Sequence, residues 1–351
     1  MSEVYFAPVT SKEPQERTAA LQALLKAVSP ELVYKKEEMV ALKLTIGDAA
    51  CVHHLHPDFV KSVVSLIKAG GAKPFLFDTS VIYQGQRQNA VDHLMLAQAK
   101  GFGEANIGAP FIVADGLLGQ DGREYEIKAG HIKKVKIPSF IGMLDSLFVL
   151  SHATGHVVSG FAGAIKNVAM GMSCRATKQV QHSSLKPSVL KNKCTSCGCC
   201  IRICPVSAIS FDQRRKAGID QGKCVGCGEC LCACKFDAIQ VNWEENVNVF
   251  CQRMVEVAQF ILSKFNNKFF ITFAFDVTQE CDCISTKDDK LVSRDIGILA
   301  SRDIVSLDQA VVDLLTDEFG FFKQRDVYRG MLDYAAGLGL GNKDYQLVEL
   351  T

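Results

Sequence analysis

The sequence predicts an α/β protein in which a mostly parallel sheet domain is interrupted by a small, cysteine-rich α+β domain. Apolar strand-like runs alternate with amphipathic helical runs on both sides of residues 188–243, which is typical of parallel βαβ units with right-handed crossovers. Most of the fifteen cysteines lie between these two flanks. We therefore expect residues 1–187 together with 244–351 to form one discontinuous α/β domain, and residues 188–243 to form the inserted one.

Before the insert, short apolar runs indicate strands that are buried on both faces. They cover Met39–Gly47, Pro74–Asp78, Phe111–Asp115 and Ser146–His152. One helix is predicted from Pro57, because proline suits a first turn, apolar residues recur at helical spacing, and two glycines follow. A second helix is predicted within NAVDHLMLAQAKGFG.

After the insert, a long amphipathic helix is predicted from Val247. The strongly apolar run Lys268–Asp276 predicts a central strand, and Ile304–Phe319 predicts another helix. The closing stretch YQLVEL predicts an edge strand.

Composition and charge exclude several classes of protein. The 351 residues are 48% hydrophobic and 22% charged with a formal net charge of +1, so no global basic field favours nucleic acid or an anionic membrane. No apolar run reaches the roughly 18 residues that a membrane-spanning helix needs. The N-terminus shows no secretory pattern, and we expect a cytoplasmic protein whose thiols stay reduced.

The insert contains the same cysteine spacing twice, thirty residues apart. Each half follows C-x2-C-x2-C-x3-C. Proline follows the last cysteine of the first half, whereas Lys235 stands at the corresponding position of the second half. In this arrangement three cysteines of one half and the fourth of the other hold one [4Fe–4S] cluster. The first predicted set is Cys194, Cys197, Cys200 and Cys234, and the second is Cys224, Cys227, Cys230 and Cys204.

A structural zinc ribbon is the alternative, because two C-x2-C pairs can also bind zinc. The order of four cysteines in each half favours two iron–sulfur clusters, and Leu190 to Trp243 resembles a bacterial two-cluster ferredoxin. Cys199 and Cys232 are surplus to both sets. They are interpreted as small buried thiols, with alternative ligation as the other reading.

Outside the clusters, two stretches that follow buried strands carry candidate catalytic side chains. SHATGHVVSGFAGAIKNVAMGM follows one strand and FDVTQECDCIS follows another, and the loops after parallel strands emerge at the same edge of a sheet. We expect both loops to converge on one cleft with the insert along its rim, placing His156 in a common pocket with Cys281 or Cys283. The candidate catalytic residues are His152, His156, Lys166, Asn167, His182 and Asp276.

Cys281 and Cys283 form a C-x-C pair that suits either a soft metal or redox chemistry, with ordinary loop thiols as the alternative. An additional metal near this pair would need ligands from elsewhere in the chain. The stretch CRATKQVQHSS, just before the insert, is either a basic link between a pocket and a cluster or a solvated linker.

Taken together, KLTIGD, SHATGH, GAIKNVAMGM, the inserted cysteine repeat, DVTQECDC and DIGILASRDIVSLDQAVVDLL resemble the domain of unknown function 362 family over nearly the whole chain. The resemblance implies an α/β domain that carries iron–sulfur clusters, and it implies no particular reaction.

Two functional hypotheses follow, and they leave open whether the chain is an enzyme. In the first, an iron–sulfur oxidoreductase passes electrons through two [4Fe–4S] clusters to a small-molecule substrate or metal site in the α/β domain. In the second, a non-enzymatic electron carrier or relay docks a partner oxidoreductase. Both require a redox partner protein, and a closed pocket lined by polar side chains would favour the enzyme. An iron–sulfur sensor or assembly factor is a third reading.

Overall fold

The computed structural model describes residues 1–351 except 10, 30–32, 84, 157, 183–185, 205, 225–227, 237, 241–246, 317–319, 325 and 351. The predicted ligand Cys227, the boundary at residues 243 and 244, and the end of the helix predicted to reach Phe319 lie outside this range. The side chain of the surplus Cys232 lies outside it as well.

Sixteen strands and twelve helices are formed by the described residues. The strands are β1 Ser2–Pro8, β2 Met39–Lys43, β3 Lys73–Asp78, β4 Phe111–Val113, β5 Arg123–Glu126, β6 Lys134–Ile137, β7 Ser146–His152, β8 Thr154–His156, β9 Gly160–Ala162, β10 Ser188–Val189, β11 Ile209–Phe211, β12 Ala217–Ile219, β13 Ile239–Gln240, β14 Asn267–Ala274, β15 Gly297–Ser301 and β16 Tyr345–Glu349. The helices are α1 Pro14–Val28, α2 Pro57–Ala69, α3 Ala90–Ala99, α4 Glu104–Ile107, α5 Ala164–Gly171, α6 Arg175–His182, α7 Cys199–Ile203, α8 Glu229–Ala233, α9 Val247–Leu262, α10 Ile304–Leu314, α11 Phe321–Gln324 and α12 Val327–Gly337.

Eight strands form the central sheet in the order β16-β1-β15-β14-β7-β2-β3-β4. Every neighbouring pair is parallel except those of β15, which runs antiparallel to both β14 and β1. The sheet takes strands from both flanks of residues 188–243. The predicted α/β class with a mostly parallel sheet is confirmed.

Strands β14 and β7, at the centre of the sheet, are apolar on both faces because helices cover both sides of the sheet. All seven residues of β7 are buried. Leu147 and Val149 pack on the side of α5, α9, α10 and α12, whereas Phe148 and Leu150 pack on the side of α1 and α2. These alternating side chains explain why the sequence shows β7 as a continuous apolar run.

Between residues 188 and 240, the described residues form two small antiparallel ribbons and two short helices. Strand β10 pairs with β13, and β11 pairs with β12. The two halves share one core, which contains Cys194, Cys200, Cys230 and Cys234 together with Ile209 and Ile239. No helix among the described residues is both long and apolar enough to cross a bilayer.

Two predicted elements are shorter than the sequence suggests. Strand β2 ends at Lys43 rather than Gly47, because β7 pairs only with its residues 41–43. Helix α10 ends at Leu314, since Leu315 is extended and the hydroxyl of Thr316 accepts a hydrogen bond from the backbone N–H of Arg294. The edge strand β16 is where the sequence predicts it.

Candidate functional site

The candidate site lies where β3, β2, β7 and β14 end side by side at the carboxyl edge of the sheet. The loops after β7 and β14 meet there: the backbone N–H of Gly155 donates to the carbonyl of Thr278 at 2.8 Å. The loop after β2 joins them through a bond from the N–H of Asp48 to the carbonyl of Asp282 at 2.8 Å. The convergence predicted for the first two loops is present.

Lys166 and Cys281 form the polar contact at the centre of this edge. Both side chains are buried, and they are close enough for the amine of Lys166 and the sulfur of Cys281 to shift each other's pKa. A hydrogen bond from Cys283, with the charge of Lys166 acting against burial, lowers the pKa of Cys281 to about 5. Hydrogen bonding to Cys281 and burial raise the pKa of Cys283 to about 12. The pair is therefore one thiolate and one thiol at neutral pH.

A turn keeps the two cysteines close together. The backbone N–H groups of Ile284 and Ser285 both donate to the carbonyl of Cys281, at 3.0 and 2.9 Å.

Burial opposes the charge of Lys166, but the sulfurs of Cys281 and Cys283 raise the pKa of its amine above the usual value. Lys166 therefore holds its proton and fixes a negative charge on Cys281.

A second group of buried charges adjoins this pair. The Lys43 amine lies 3.1 Å from Asp78 Oδ1 and donates to Asn167 Oδ1 at 2.7 Å. Arg87 Nη1 lies 3.4 Å from Asp78 Oδ2, and its Nη2 donates to the hydroxyl of Tyr83 at 2.6 Å. Although burial opposes its charge, Lys43 and the other neighbouring cations hold the pKa of Asp78 below the usual value. Asn167 thus joins the predicted loop to a charge network.

Sequence reasoning missed this network. Lys43 and Asp78 are the last residues of their strands, and a charged residue that ends an apolar run is a signal that could have pointed to them. Arg87 and Tyr83 lie in an irregular segment that carries no comparable pattern.

Lys178 on α6 is a third buried amine near the same edge. It donates to Thr79 Oγ1 at 2.6 Å and to the carbonyl of Ser80 at 2.5 Å. Burial lowers the pKa of Lys178 to about 8, so this amine exchanges its proton close to neutral pH.

His152 holds the loop after β14 against β7. Its Nδ1 lies 2.8 Å from Asp282 Oδ1 and its Nε2 lies 2.7 Å from the carbonyl of Phe275. Because both partners are acceptors, both ring nitrogens must carry protons. Burial disfavours this cation, but Asp282 raises the pKa of His152 above its usual value. His152 therefore positions the residue between the two cysteines.

His156 and His182 both lie near the ring of Phe250, with centroid distances of 6.0 and 5.3 Å. His156 Nδ1 accepts from the N–H of Ser159 at 3.0 Å, whereas His182 Nδ1 donates to the carbonyl of Lys178 at 2.8 Å. Burial lowers the pKa of His182 to about 4, and His156, Lys166 and Cys283 are all close enough to affect it. His182 is the group that connects His156 to the cysteine pair.

Asp276, the remaining predicted catalytic residue, lies at the periphery of this group, where its charge still acts on His152. It has a positive φ of 48°, which turns its side chain out of the strand direction. Its Oδ2 lies 3.4 Å from Arg17 Nη1, and its side chain is 32% exposed. Asp276 thus forms an ion pair with Arg17 of α1.

The N-terminus of α5, which carries Lys166 and Asn167, is fixed by Asp308 of α10. The carboxylate accepts from the backbone N–H groups of Ala164 and Ile165 at 2.8 and 2.9 Å. A Cβ at Gly163 would lie only 2.4 Å from Asp308 Oδ1, so a residue without a side chain is needed there.

We expect Asp308→Ala to lower the free energy of unfolding by at least about 2 kcal/mol, because each buried N–H left unpaired costs about 1–3 kcal/mol. Urea unfolding followed by circular dichroism measures this change. Asp313→Ala is the control, since Asp313 is on the same helix and its hydrogen bonds to Gln309 and Tyr345 are exposed. A loss no larger than that of the control would contradict the assigned role of Asp308.

In the insert, one pocket is lined by four cysteines from both halves. Cys194, Cys197 and Cys200 of the first loop face it together with Cys234 of the second half. Burial raises the pKa of Cys200, and Cys234, Cys194 and Cys197 are the neighbours that raise it further. These four are the predicted members of the first set.

The two halves repeat the same local geometry. Gly198 and Gly228 precede α7 and α8 with left-handed φ values of 72° and 74°. The backbone N–H groups of Ala208 and Ala238 donate to the sulfurs of Cys204 and Cys234 at 3.2 and 3.3 Å. Of the second set, Cys230 is buried and Cys204 and Cys224 are partly exposed, while Cys227 lies outside the described residues.

Within the described residues, no three His, Cys, Asp or Glu side chains are close enough to share a single metal ion. The same holds around Cys281 and Cys283, where the amine of Lys166 lies beside the sulfur of Cys281. A multi-iron cluster makes a different demand, because each iron takes its own thiolate and the sulfurs stand apart. The four-cysteine pocket fits that demand.

The fold and site together define a class of protein: an α/β domain with a buried charged site at the carboxyl edge of its sheet and a cysteine-rich insert. Residues 40–313 match the family described as Domain of unknown function (DUF362), and the chain belongs to that family.

Comparison with curated proteins gives no match. Among solved structures, a protein from Thermotoga maritima is 9% identical, with a TM-score of 0.43 over 94% of this chain and 60% of that one. The lactate racemase apoprotein from Thermoanaerobacterium thermosaccharolyticum is 12% identical, with a TM-score of 0.40 over 88% of this chain and 56% of that one. The chain thus spans less than two thirds of either protein, and neither protein's activity transfers to it at this similarity.

Proposed function

We propose that the chain is an iron–sulfur redox protein that holds two [4Fe–4S] clusters in residues 188–243 and delivers electrons to the site at the carboxyl edge of the sheet. The observation that carries this proposal is the pocket lined by Cys194, Cys197, Cys200 and Cys234. This pocket combines three cysteines of one half with the fourth cysteine of the other, which is the combination that crossed cluster ligation requires, whereas a zinc ribbon takes two C-x2-C pairs.

When bound, the clusters would supply one-electron transfer at potentials that their surroundings set. The chain's own contribution is to hold the thiolates and to donate backbone hydrogen bonds to them. Besides Ala208 and Ala238, the N–H of Ala217 donates to the sulfur of Cys194 at 3.4 Å. Such bonds stabilise the added negative charge of a reduced cluster.

At the acceptor site, Lys166 holds the Cys281 thiolate, and Cys283 supplies a thiol proton beside it. A thiolate and a thiol separated by one residue suit two-electron redox chemistry. Alternatively, the same two sulfurs could bind a soft metal. Lys178 lies near the same edge as a proton donor or acceptor. An oxidoreductase that acts on a small molecule would use Cys281, Cys283, Lys166 and Lys178.

The first set of cysteines is also accessible from outside. Cys197 is exposed, and the nearby side chains of Phe211 and Phe236 are 38% and 46% exposed. A redox partner protein that meets this face would exchange electrons with the first cluster. The same face supports the electron-carrier alternative, which differs by needing nothing from Lys166 or Cys281.

Protein purified without oxygen should contain about eight iron atoms and a similar amount of acid-labile sulfide per chain, as two [4Fe–4S] clusters require. Metal and sulfide analysis measures both. Cys251→Ala is the matched control, since Cys251 is buried in α9 outside both sets and its removal should leave the iron content unchanged. Stoichiometric zinc with little iron would overturn the proposal.

A further inference from the structure

Two large aromatic side chains line the pocket of the first cysteine set and stay partly in water. Phe211 and Phe236 line this pocket together with the exposed Cys197. They are 38% and 46% exposed. Apolar side chains that remain exposed together beside a site mark a surface that another protein can cover.

Arg202 is placed at the edge of the same pocket. Its Nη1 donates to the carbonyl of Cys197 at 3.4 Å. A Cβ on Gly198 would lie 3.5 Å from this Nη1 and 3.7 Å from the ring of Phe211, so the guanidinium and the ring flank one glycine. The side chain of Arg202 is exposed, and no described acidic residue pairs with it. Cation and aromatic ring thus form one mixed surface.

Two lysines bring further positive charge to the rim of the pocket. The amine of Lys216 donates to the carbonyl of Cys194 at 2.5 Å, and the amine of Lys191 donates to the carbonyl of Ala217 at 2.7 Å. Both acceptor residues line the pocket. Asp212 Oδ2 lies 2.8 Å from the amine of Lys191. This carboxylate offsets only one of the three cations at the rim.

The insert as a whole is basic, whereas the rest of the chain is acidic. Residues 188–240 contain eight lysines and arginines but only four aspartates and glutamates, and the remaining residues contain 31 and 34. The formal charge of +1 therefore combines +4 on the insert with −3 on the remainder. Four thiolates and a bound cluster would add negative charge inside the pocket. The cations at the rim would then be what allows a negatively charged partner to approach.

Building on the proposed function, we propose that the face formed by Phe211, Phe236, Arg202, Lys191 and Lys216 docks a small acidic electron-carrier protein. The carrier is oxidised as the first cluster is reduced, one electron at a time. The cations attract and orient the carboxylates of the carrier, and the two phenylalanines supply apolar contact beside the cysteines. A protein carrier is favoured over nucleic acid because the face surrounds the cysteine pocket, which only a redox partner would use.

The test measures binding, so that it does not depend on turnover. Oxidised full-length protein, purified without oxygen, is titrated with an oxidised acidic flavodoxin in a calorimeter at about 20 and about 200 mM salt. Electron-transfer complexes are small and weak, and their exposed charges are screened by salt. We therefore expect the Kd to rise by about tenfold or more at the higher salt concentration. A basic cytochrome c and a single-stranded oligonucleotide are titrated in parallel.

Arg202→Gln should weaken the binding of flavodoxin at low salt, and Arg202→Glu should weaken it further, to about a tenfold higher Kd, because it reverses a charge on the face. Lys191→Gln tests the opposite side of the same rim without altering Arg202. Lys73→Gln and Lys73→Glu are the matched controls, since Lys73 is an exposed lysine at the start of β3 in the α/β domain. They should leave the Kd unchanged. The iron content of each variant shows whether its clusters are intact.

The wild-type protein separates the two levels of the proposal. If it holds about eight iron atoms but does not bind flavodoxin, or binds it with a Kd that neither salt nor the variants on the face change, this inference is overturned while the proposed function stands. Binding of cytochrome c or of the oligonucleotide as tight as that of flavodoxin overturns it as well. If the wild-type chain holds no iron, the proposed function itself fails.

Discussion

Cys234→Ser is expected to remove the cluster of the opposite half, so that the iron content falls from about eight atoms to about four. The reason is that Cys234 shares a pocket with Cys194, Cys197 and Cys200, although it is thirty or more residues away in sequence. Serine keeps the shape of the side chain but is a poor ligand for iron. Iron analysis and electron paramagnetic resonance of the variant measure the loss.

The companion variant Cys204→Ser makes the result specific. It should remove the other cluster, the one assigned to Cys224, Cys227 and Cys230. If Cys204→Ser instead removes the signal that Cys200→Ser removes, each half binds its own cluster and the crossed assignment is wrong.

Lys166→Met is expected to raise the pKa of Cys281 from about 5 and to lower the fraction of thiolate at pH 6, because a positive charge beside the sulfur is lost while the hydrogen bond from Cys283 remains. Only the thiolate reacts with alkylating reagents, so labelling of Cys281 at pH 6 should slow by about tenfold or more. Mass spectrometry of the peptide that contains Cys281 measures this rate, and both clusters should remain.

Lys166→Arg keeps the charge and is the matched control for this experiment. The same shift has a thermodynamic consequence: between pH 5 and the usual thiol pKa of 9.0, folded Cys281 binds fewer protons than the unfolded chain does. Its stabilising contribution is therefore complete above pH 9.0 and disappears as the pH falls through 5. Equal labelling of Cys281 in wild type and Lys166→Met would show that Lys166 does not hold the thiolate.

The central part of the fold could be predicted because its physical cause is local. Strands β7 and β14 are apolar on both faces, and helix α9 begins at Val247 as its periodic pattern indicates. Strand β1 at the N-terminus and the antiparallel β15 were not predicted. These segments are short, and whether they form strands depends on their pairing with distant strands in the folded sheet.

The candidate site divides in the same way. Lys166 and Cys281 could be expected near each other because both follow strands that the sequence marks as central and parallel. The pairing of Lys43 with Asp78 depends on β2 lying beside β3, and the contact of Arg87 with Tyr83 depends on an irregular loop. Burial is the largest cause that lowers the pKa of Lys178 to about 8, and burial cannot be predicted from the stretch CRATKQVQHSS.

The ends of the insert lie side by side. Strand β10 at its start is paired with β13 at its end, through Ser188 with Gln240 and Val189 with Ile239. On the α/β side, the ring of His182 at the departing helix lies 5.3 Å from that of Phe250 at the returning one. The cysteine-rich segment thus begins and ends close to one point in space. In this arrangement a domain can be inserted or exchanged without disturbing the sheet of the host domain. A short linker in its place should leave the sheet and its charged site to be studied without the cysteine repeat.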